Sequence, residues 1–248
     1  MISCPRYCAL LRVALVSMVA LTVSTGRAEP STSERAALWA EVDAELRTIG
    51  EQIGVSRLSP EVREALSAVP RHRFVPSGQR EHAYENRPLP IGHGQTISQP
   101  LIVAAMTELL DVGPGDRVFE LGTGSGYQAA VLAELGVEVY SVEIVEALGH
   151  RARATLDEIG YARVRTRIGD GYDGWPEAAP FDAVIVTAAS DHIPPPLIRQ
   201  LKPGGRLLIP VGNRYLTQKL VLLQRDQAGA VTTQELLPVR FVPLTGRR

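Results

Sequence analysis

The 248-residue chain is 45% hydrophobic and 21% charged, with a formal net charge of -1, which suits one globular α/β domain with a small extension. Its basic residues are scattered and matched by acids, so no electrostatic footprint for a nucleic acid partner is present. At the N-terminus, Arg6 and Arg12 flank an apolar run from Val13 to Val23, and Gly26-x-Ala28 follows as a small-x-small site. That pattern reads as an export signal cut after Ala28, leaving a periplasmic or otherwise exported protein. An N-terminal apolar helix or a misassigned start is the alternative. The run is too short for a stable membrane span, and no second one follows, so no membrane association is expected after cleavage. Cleavage removes three arginines, no acids and both cysteines, Cys4 and Cys8. A chain without cysteine has no disulfide, thiolate metal site or cysteine nucleophile.

Leu38, Val42, Leu46, Ile49 and Ile53 recur at helical spacing, predicting an amphipathic helix over 34–53. Ser59 and Pro60 make a cap and first turn for a short helix through Ala68, ended by Pro70. Residues 71–99 are rich in Pro, Gly, His and Asn without a clear period, and a loop that long is usually functional. It ends in Pro90 to Pro100, PIGHGQTISQP, ahead of the helical run Leu101 to Leu110. Ser98 is the candidate site residue there. A serine, or Gln99, before Pro100 is also what an N-cap looks like, and the two readings are compatible because a helix N-terminus attracts anions. The five histidines are isolated from one another and from acids at ligand spacing, so no metal site is expected.

From Asp116 the chain alternates strand and helix. Val118 to Tyr127, VFELGTGSGY, is an apolar strand running through Glu120 into Gly122, Gly124 and Gly126 and then a helix. Glycines there allow a sharp turn and close ligand approach, and the helix aims free N–H groups at the same point. The dinucleotide fingerprint is G-x-G-x-x-G, whereas here the glycines run G-x-G-x-G with Tyr127 where the last would fall, so NAD is disfavoured. An acid before the first glycine suits a ligand with an ammonium group, such as the methionine end of S-adenosylmethionine, with Glu120 as its partner. A second strand, 137–142, leads to Glu143, 21 residues beyond Gly122. An acid at that strand tip can accept both ribose hydroxyls, or be an ordinary solvated glutamate. A helix over 144–159 and a strand over 164–168 lead to Gly169, Asp170 and Gly171 on the same edge, where Asp170 can face an adenine amino group. Phe181 to Thr187 is a continuous apolar strand suited to the sheet centre, followed by a helix over 194–201. Lys202 to Gly205 reads as a turn into a strand over 206–211, and closing strands are expected over 219–223 and 234–242, with a polar turn at 227–229.

The runs PIGHGQTISQP, ELGTGSGY, GDG, FDAVIVTAA, LKPGG with LLIPVG, and RFVPL, in order between Pro70 and Leu244, resemble those of the protein-L-isoaspartate O-methyltransferase family. GQTIS and RFVPL are the family-specific parts. The resemblance implies a doubly wound, mostly parallel, seven-stranded Rossmann-like methyltransferase fold with an N-terminal helical extension. Its parts would be a signal at 1–28, helices and a substrate-side loop at 29–99 and the core domain at 100–248. It also implies S-adenosylmethionine as cofactor and methylation of the α-carboxylate of L-isoaspartyl residues in damaged proteins and peptides, the ester collapsing to a succinimide that reopens partly as aspartate. By motif match Ser98 takes the active-site position. Glu120, Gly122, Thr123, Gly124 and Gly126 hold the methionyl end, Glu143 the ribose, and Asp170 with Gly171 the adenine. Arg240 either contacts the substrate or is a solvated edge arginine. A monomer is expected, and the export signal is the departure from a family that is usually cytoplasmic. A methyltransferase for another carboxylate or small molecule, or a non-catalytic binding protein on the same fold, would share the glycine loop.

Overall fold

The computed structural model describes residues 32–213 and 216–246 together with Met1. The expected signal segment, with Arg6, Arg12, Gly26, Ala28 and both cysteines, lies outside the described residues. Helix α1 (Thr32–Ile53) buries Leu38, Val42, Leu46 and Ile53 along one face, as their spacing dictates, in the same hydrophobic core as the helices of the main domain. Helix α2 (Pro60–Ala68) starts as read: the Ser59 hydroxyl accepts from the Val62 N–H, and Pro60 stands in the first turn. Glu108 Oε2 accepts from both the Ser59 N–H and its hydroxyl at 2.8 and 3.0 Å, fastening that cap to helix α3 (Pro100–Leu110).

The stretch expected to be an aperiodic loop is ordered. It holds two 3-10 helices, Arg71–Phe74 and Ser77–His82, and an antiparallel hairpin of β1 (Leu89–Gly92) and β2 (Gln95–Ile97). Strands of four and three residues are too short to show a period. Their turn uses His93 (φ 55°) and Gly94 (φ 72°) in the left-handed region, the conformation a two-residue hairpin turn demands and a histidine seldom supplies. The Arg151 guanidinium donates to the Ile91 carbonyl and holds the hairpin against helix α5 (Glu146–Glu158).

The main sheet has seven strands in the order β5-β4-β3-β6-β7-β8-β9. They are β3 (Arg117–Leu121), β4 (Glu138–Glu143), β5 (Arg165–Ile168), β6 (Phe181–Val186), β7 (Leu201–Val211), β8 (Gln218–Arg225) and β9 (Val231–Val239), with helices α4 (Tyr127–Glu134) and α6 (Pro195–Arg199) in the connections. The pairings from β5 through β7 are parallel, and the last two are antiparallel. Strand β6 occupies the centre and is buried from Ala183 to Val186, as an uninterrupted apolar run requires between two covered faces. The chain leaves β3 toward β4 and β5 and returns to β6 on the other side of β3. A crevice therefore opens beyond the carboxyl ends of β3 and β6, where open α/β sheets bind ligands.

Among the boundaries that differ from the sequence reading are two in strands β7 and β9. Lys202 to Gly205 is a bulge inside β7 and not a separate turn: pairing jumps from Phe181–Leu201 to Ala183–Arg206, and Gly204 takes φ 84° to absorb the extra residues. Strand β9 ends at Val239, short of the expected Val242, because its partner β8 begins at Gln218, opposite Val239. Released from the sheet, the tail runs beside the segment after β6. The Ala189 N–H donates to the Val242 carbonyl at 2.8 Å and the Leu244 N–H to the Ala189 carbonyl at 2.7 Å.

Candidate active site

The glycine loop is built by backbone geometry. Gly122, Gly124 and Gly126 have φ of 103°, 55° and 89°, all in the region that other residues avoid. The Gly122 N–H donates to Val142 O at 2.9 Å, and the Thr187 hydroxyl donates to Gly122 O at 2.5 Å, so the loop is clamped between the ends of β4 and β6. A Cβ on Gly122 would lie 2.4 Å from the Thr187 oxygen, and one on Gly171 would lie 2.9 Å from the Leu121 side chain. Glycine is required at both positions by contact as well as by conformation at Gly122.

Glu120 sits one residue before the end of β3 with no solvent exposure. Ser141 donates to its Oε2 at 2.5 Å, and the Thr123 and Ser141 hydroxyls are 2.6 Å apart. Its other oxygen, Oε1, has no partner among the described residues. Burial pushes the carboxyl up to about 8, the Ser141 bond opposing the shift and the neighbouring Glu143 charge adding to it. Glu143, at the tip of β4, accepts from the Gly124 N–H at 2.7 Å and the Val145 N–H at 2.9 Å. It is therefore not a solvated surface acid. Each of its oxygens keeps a lone pair beyond those bonds.

These groups line one cleft, with about 760 Å³ of empty space counting its open mouth. Ser98, Glu120, Gly122, Thr123, Gly124, Glu143 and Gly171 all contribute to its wall. Gly126 stands behind the wall as the N-cap of α4. Asp170 is absent from the wall although Gly169 and Gly171 on either side belong to it; its Oδ1 accepts from the Tyr172 N–H at 3.0 Å. The site thus draws together most of the residues read from sequence and leaves Asp170 at its margin. A second cleft shares Thr96, Ser98, Thr187 and Val242 with the first and extends to Arg240 and Phe241.

Ser98 is not the cap of α3. Gln99 holds the N-cap position without a side-chain bond, and the Leu101 N–H is satisfied by Asn86 Oδ1 at 3.1 Å. The Ser98 hydroxyl is left for another partner where the two clefts meet. Sequence reasoning missed Thr187, Ser141 and the tail at 242–245, all of which build or support this site. Thr187 carried a signal in its position at the carboxyl end of the central strand, and the tail in the RFVPL run, whereas Ser141 carried none.

The family model described as protein-L-isoaspartate(D-aspartate) O-methyltransferase matches residues 46–248. The chain belongs to this family. It is 54% identical to protein-L-isoaspartate O-methyltransferase 2 of Syntrophobacter fumaroxidans over 96% of each chain. It is 51% identical to protein-L-isoaspartate O-methyltransferase 1 of Cupriavidus necator, covering 99% of this chain and 95% of the relative. A solved protein-L-isoaspartate O-methyltransferase superposes with a TM-score of 0.73 at 29% identity, over 84% of this chain and 66% of that one. A solved putative family member from Plasmodium falciparum, in complex with S-adenosyl-L-homocysteine, has the same fold, with a TM-score of 0.70 at 22% identity over 86% of this chain and 97% of its own. The glycine loop, the hairpin leading to Ser98 and the tail all lie within the matched span.

Proposed function

We propose that the chain repairs damaged proteins by methylating the α-carboxylate of L-isoaspartyl residues, in keeping with its family. S-adenosylmethionine is the methyl donor. The observation that carries the reading is Ser98 standing in the wall common to two clefts, one walled by the glycine loop and one open toward Arg240. The first cleft fits the cofactor on its own chemistry: a buried carboxyl with an unpartnered oxygen at Glu120 suits an ammonium. Glu120 with the loop would hold the methionyl end and Glu143 the ribose. Asp170 and Gly171 are assigned to the adenine, Gly171 with the firmer support because it lines the cleft.

The bound cofactor supplies an electrophilic methyl group on a sulfonium. The chain has to do little acid–base work, since a carboxylate with an ordinary pKa near ~4 is already ionised at neutral pH. Positioning is the task, and orientation alone offers roughly 7 to 11 kcal/mol. Ser98 donates a hydrogen bond to the substrate carboxylate, and Arg240 adds a charge-assisted contact in the second cleft. Methyl transfer by the purified chain to an isoaspartyl peptide, with its aspartyl isomer inert, is the deciding assay. Equal labelling of both peptides would refute the substrate assignment.

Ser98→Ala is expected to lower kcat/KM for the isoaspartyl peptide by roughly tenfold or more, the loss of one hydrogen bond to a charged group. Its melting temperature should change little because the hydroxyl caps nothing. An earlier melt with normal turnover would return Ser98 to a structural role.

The reading extends to a monomer that meets its polypeptide substrate directly, without nucleic acid; light scattering on the purified protein tests the mass. The N-terminal pattern supports export, into a space where the permanent charge of the cofactor makes unassisted membrane passage costly. Cell fractionation with N-terminal sequencing should find a periplasmic chain beginning at Glu29. Recovery of intact Met1 in the cytoplasmic fraction would reverse that assignment.

A further inference from the structure

Arg71 is the largest fully buried side chain of the described residues, with no solvent exposure. It makes no ion pair with any described carboxylate, so its charge is balanced by dipoles and an aromatic face alone. Nε donates to the Ala83 carbonyl at 2.9 Å and Nη2 to the Ser98 carbonyl at 2.7 Å. Its guanidinium carbon lies 5.0 Å from the centre of the Tyr127 ring. Tyr127 is the first residue of α4, directly after Gly126, and lines the glycine-loop cleft. Nη1 and the Tyr127 hydroxyl each lack a hydrogen-bond partner among the described residues.

An unpaired buried guanidinium is an expensive way to satisfy two carbonyls, which a neutral donor or backbone amide would also do. What this group adds is a rigid planar fork joining three segments far apart in the chain. One arm fixes the chain at Ala83, another fixes the peptide that presents Ser98, and the guanidinium carbon lies over the ring of the residue that opens the helix behind the glycine loop. The separations in sequence are 12 residues to Ala83 and 27 to Ser98. Burial pulls the guanidinium down to about 10, with the nearby Tyr127 and Tyr84 acting in the opposite direction, and it stays charged at neutral pH.

We propose that Arg71 is a positioning residue for methyl transfer, setting the Ser98 peptide at a fixed place relative to the glycine loop through Ala83, Ser98 and Tyr127. It touches neither substrate nor cofactor; its effect passes through Ser98. The proposal rests on Ser98 acting on the substrate, as argued above.

Arg71→Lys keeps the charge and loses the fork, since one ammonium cannot serve both carbonyls and cover the ring together. At a temperature well below its melting point, this variant should lose at least tenfold in kcat for an isoaspartyl peptide. Its affinity for S-adenosylhomocysteine should change less than threefold. Binding of a fluorescein-labelled isoaspartyl peptide, measured by anisotropy with S-adenosylhomocysteine present, should weaken by at least threefold, a readout independent of turnover. Folded Arg71→Lys with wild-type kcat and peptide affinity would overturn the proposal and leave Arg71 a stabilising residue only. If Arg71→Lys does not fold, Tyr127→Leu decides by removing the ring under the guanidinium: reduced peptide binding supports the coupling, and wild-type peptide binding refutes it. A wild-type chain that ignores isoaspartyl peptides would instead refute the substrate assignment, so the two failures are distinct.

Discussion

Raising the pH from 5 to 9 is expected to destabilise the cofactor-free protein by an amount on the order of 4 kcal/mol, and Glu120→Gln is expected to remove most of that loss. Burial raises the Glu120 carboxyl from 4.5 to about 8 in the folded chain, while in the unfolded chain it returns to its ordinary value. Between those values the folded state holds a proton that the unfolded state has released, so stability falls as pH rises. The contribution is complete below 4.5, declines through the interval and is gone above about 8. Each unit of difference corresponds to about 1.4 kcal/mol, which sets the magnitude. Urea unfolding at several pH values, without cofactor, measures it. Parallel profiles for wild type and Glu120→Gln would show that Glu120 is not the group responsible. The same protonation links to the ligand: an ammonium beside the unpartnered Oε1 favours the carboxylate, so binding of S-adenosylmethionine at pH 7 should release about one proton. Calorimetry in buffers of different ionisation enthalpy reads that number, and no dependence on buffer would contradict it.

What could be read from the sequence divides according to how local each residue's task is. Gly122, Gly124 and Gly126 are needed for their own backbone conformation, and an apolar run before them is visible without tertiary knowledge. The same holds for β6, whose unbroken apolar run marks a strand buried on both faces. The hairpin carrying Ser98 was hidden because its strands are shorter than a readable period and its turn employs His93 in place of the usual Asn or Asp. Thr187 serves Gly122 from 65 residues away, and Arg71 serves Ser98 from 27; neither pairing leaves a spacing in the chain. Ser98 looked like a cap because the competing donor-acceptor pair, Leu101 N–H with Asn86, becomes visible only when the loop is folded back. Asp170 followed the sequence logic of the strand edge, yet its side chain accepts from the amide of Tyr172 at 3.0 Å and lies outside the cleft wall.

Glu143 joins these two themes, because a residue read from sequence as a ribose acceptor is also a structural staple of the loop that would hold the cofactor. Glu143→Ala is expected to cost more than a lost ligand contact. In the cofactor-free chain its two oxygens satisfy the amides of Gly124 and Val145 at 2.7 and 2.9 Å, and the side chain is almost fully buried. Hydrogen bonds to a charged group are each worth about 1.5 to 3 kcal/mol, so removing two should lower folding stability by several kcal/mol and leave Gly124 without its anchor. Loss of the ribose acceptors then adds to a loosened loop, and S-adenosylmethionine affinity should fall by roughly 100-fold. Glu143→Gln separates the parts. Its amide oxygen can still accept from one of the two backbone donors, but its NH₂ group cannot accept from the other or from a ribose hydroxyl. It should therefore recover part of the stability while cofactor binding stays weak. Melting curves and calorimetric titration on both variants test this. Wild-type cofactor affinity in either would mean that the ribose is held elsewhere and that Glu143 acts on the loop alone.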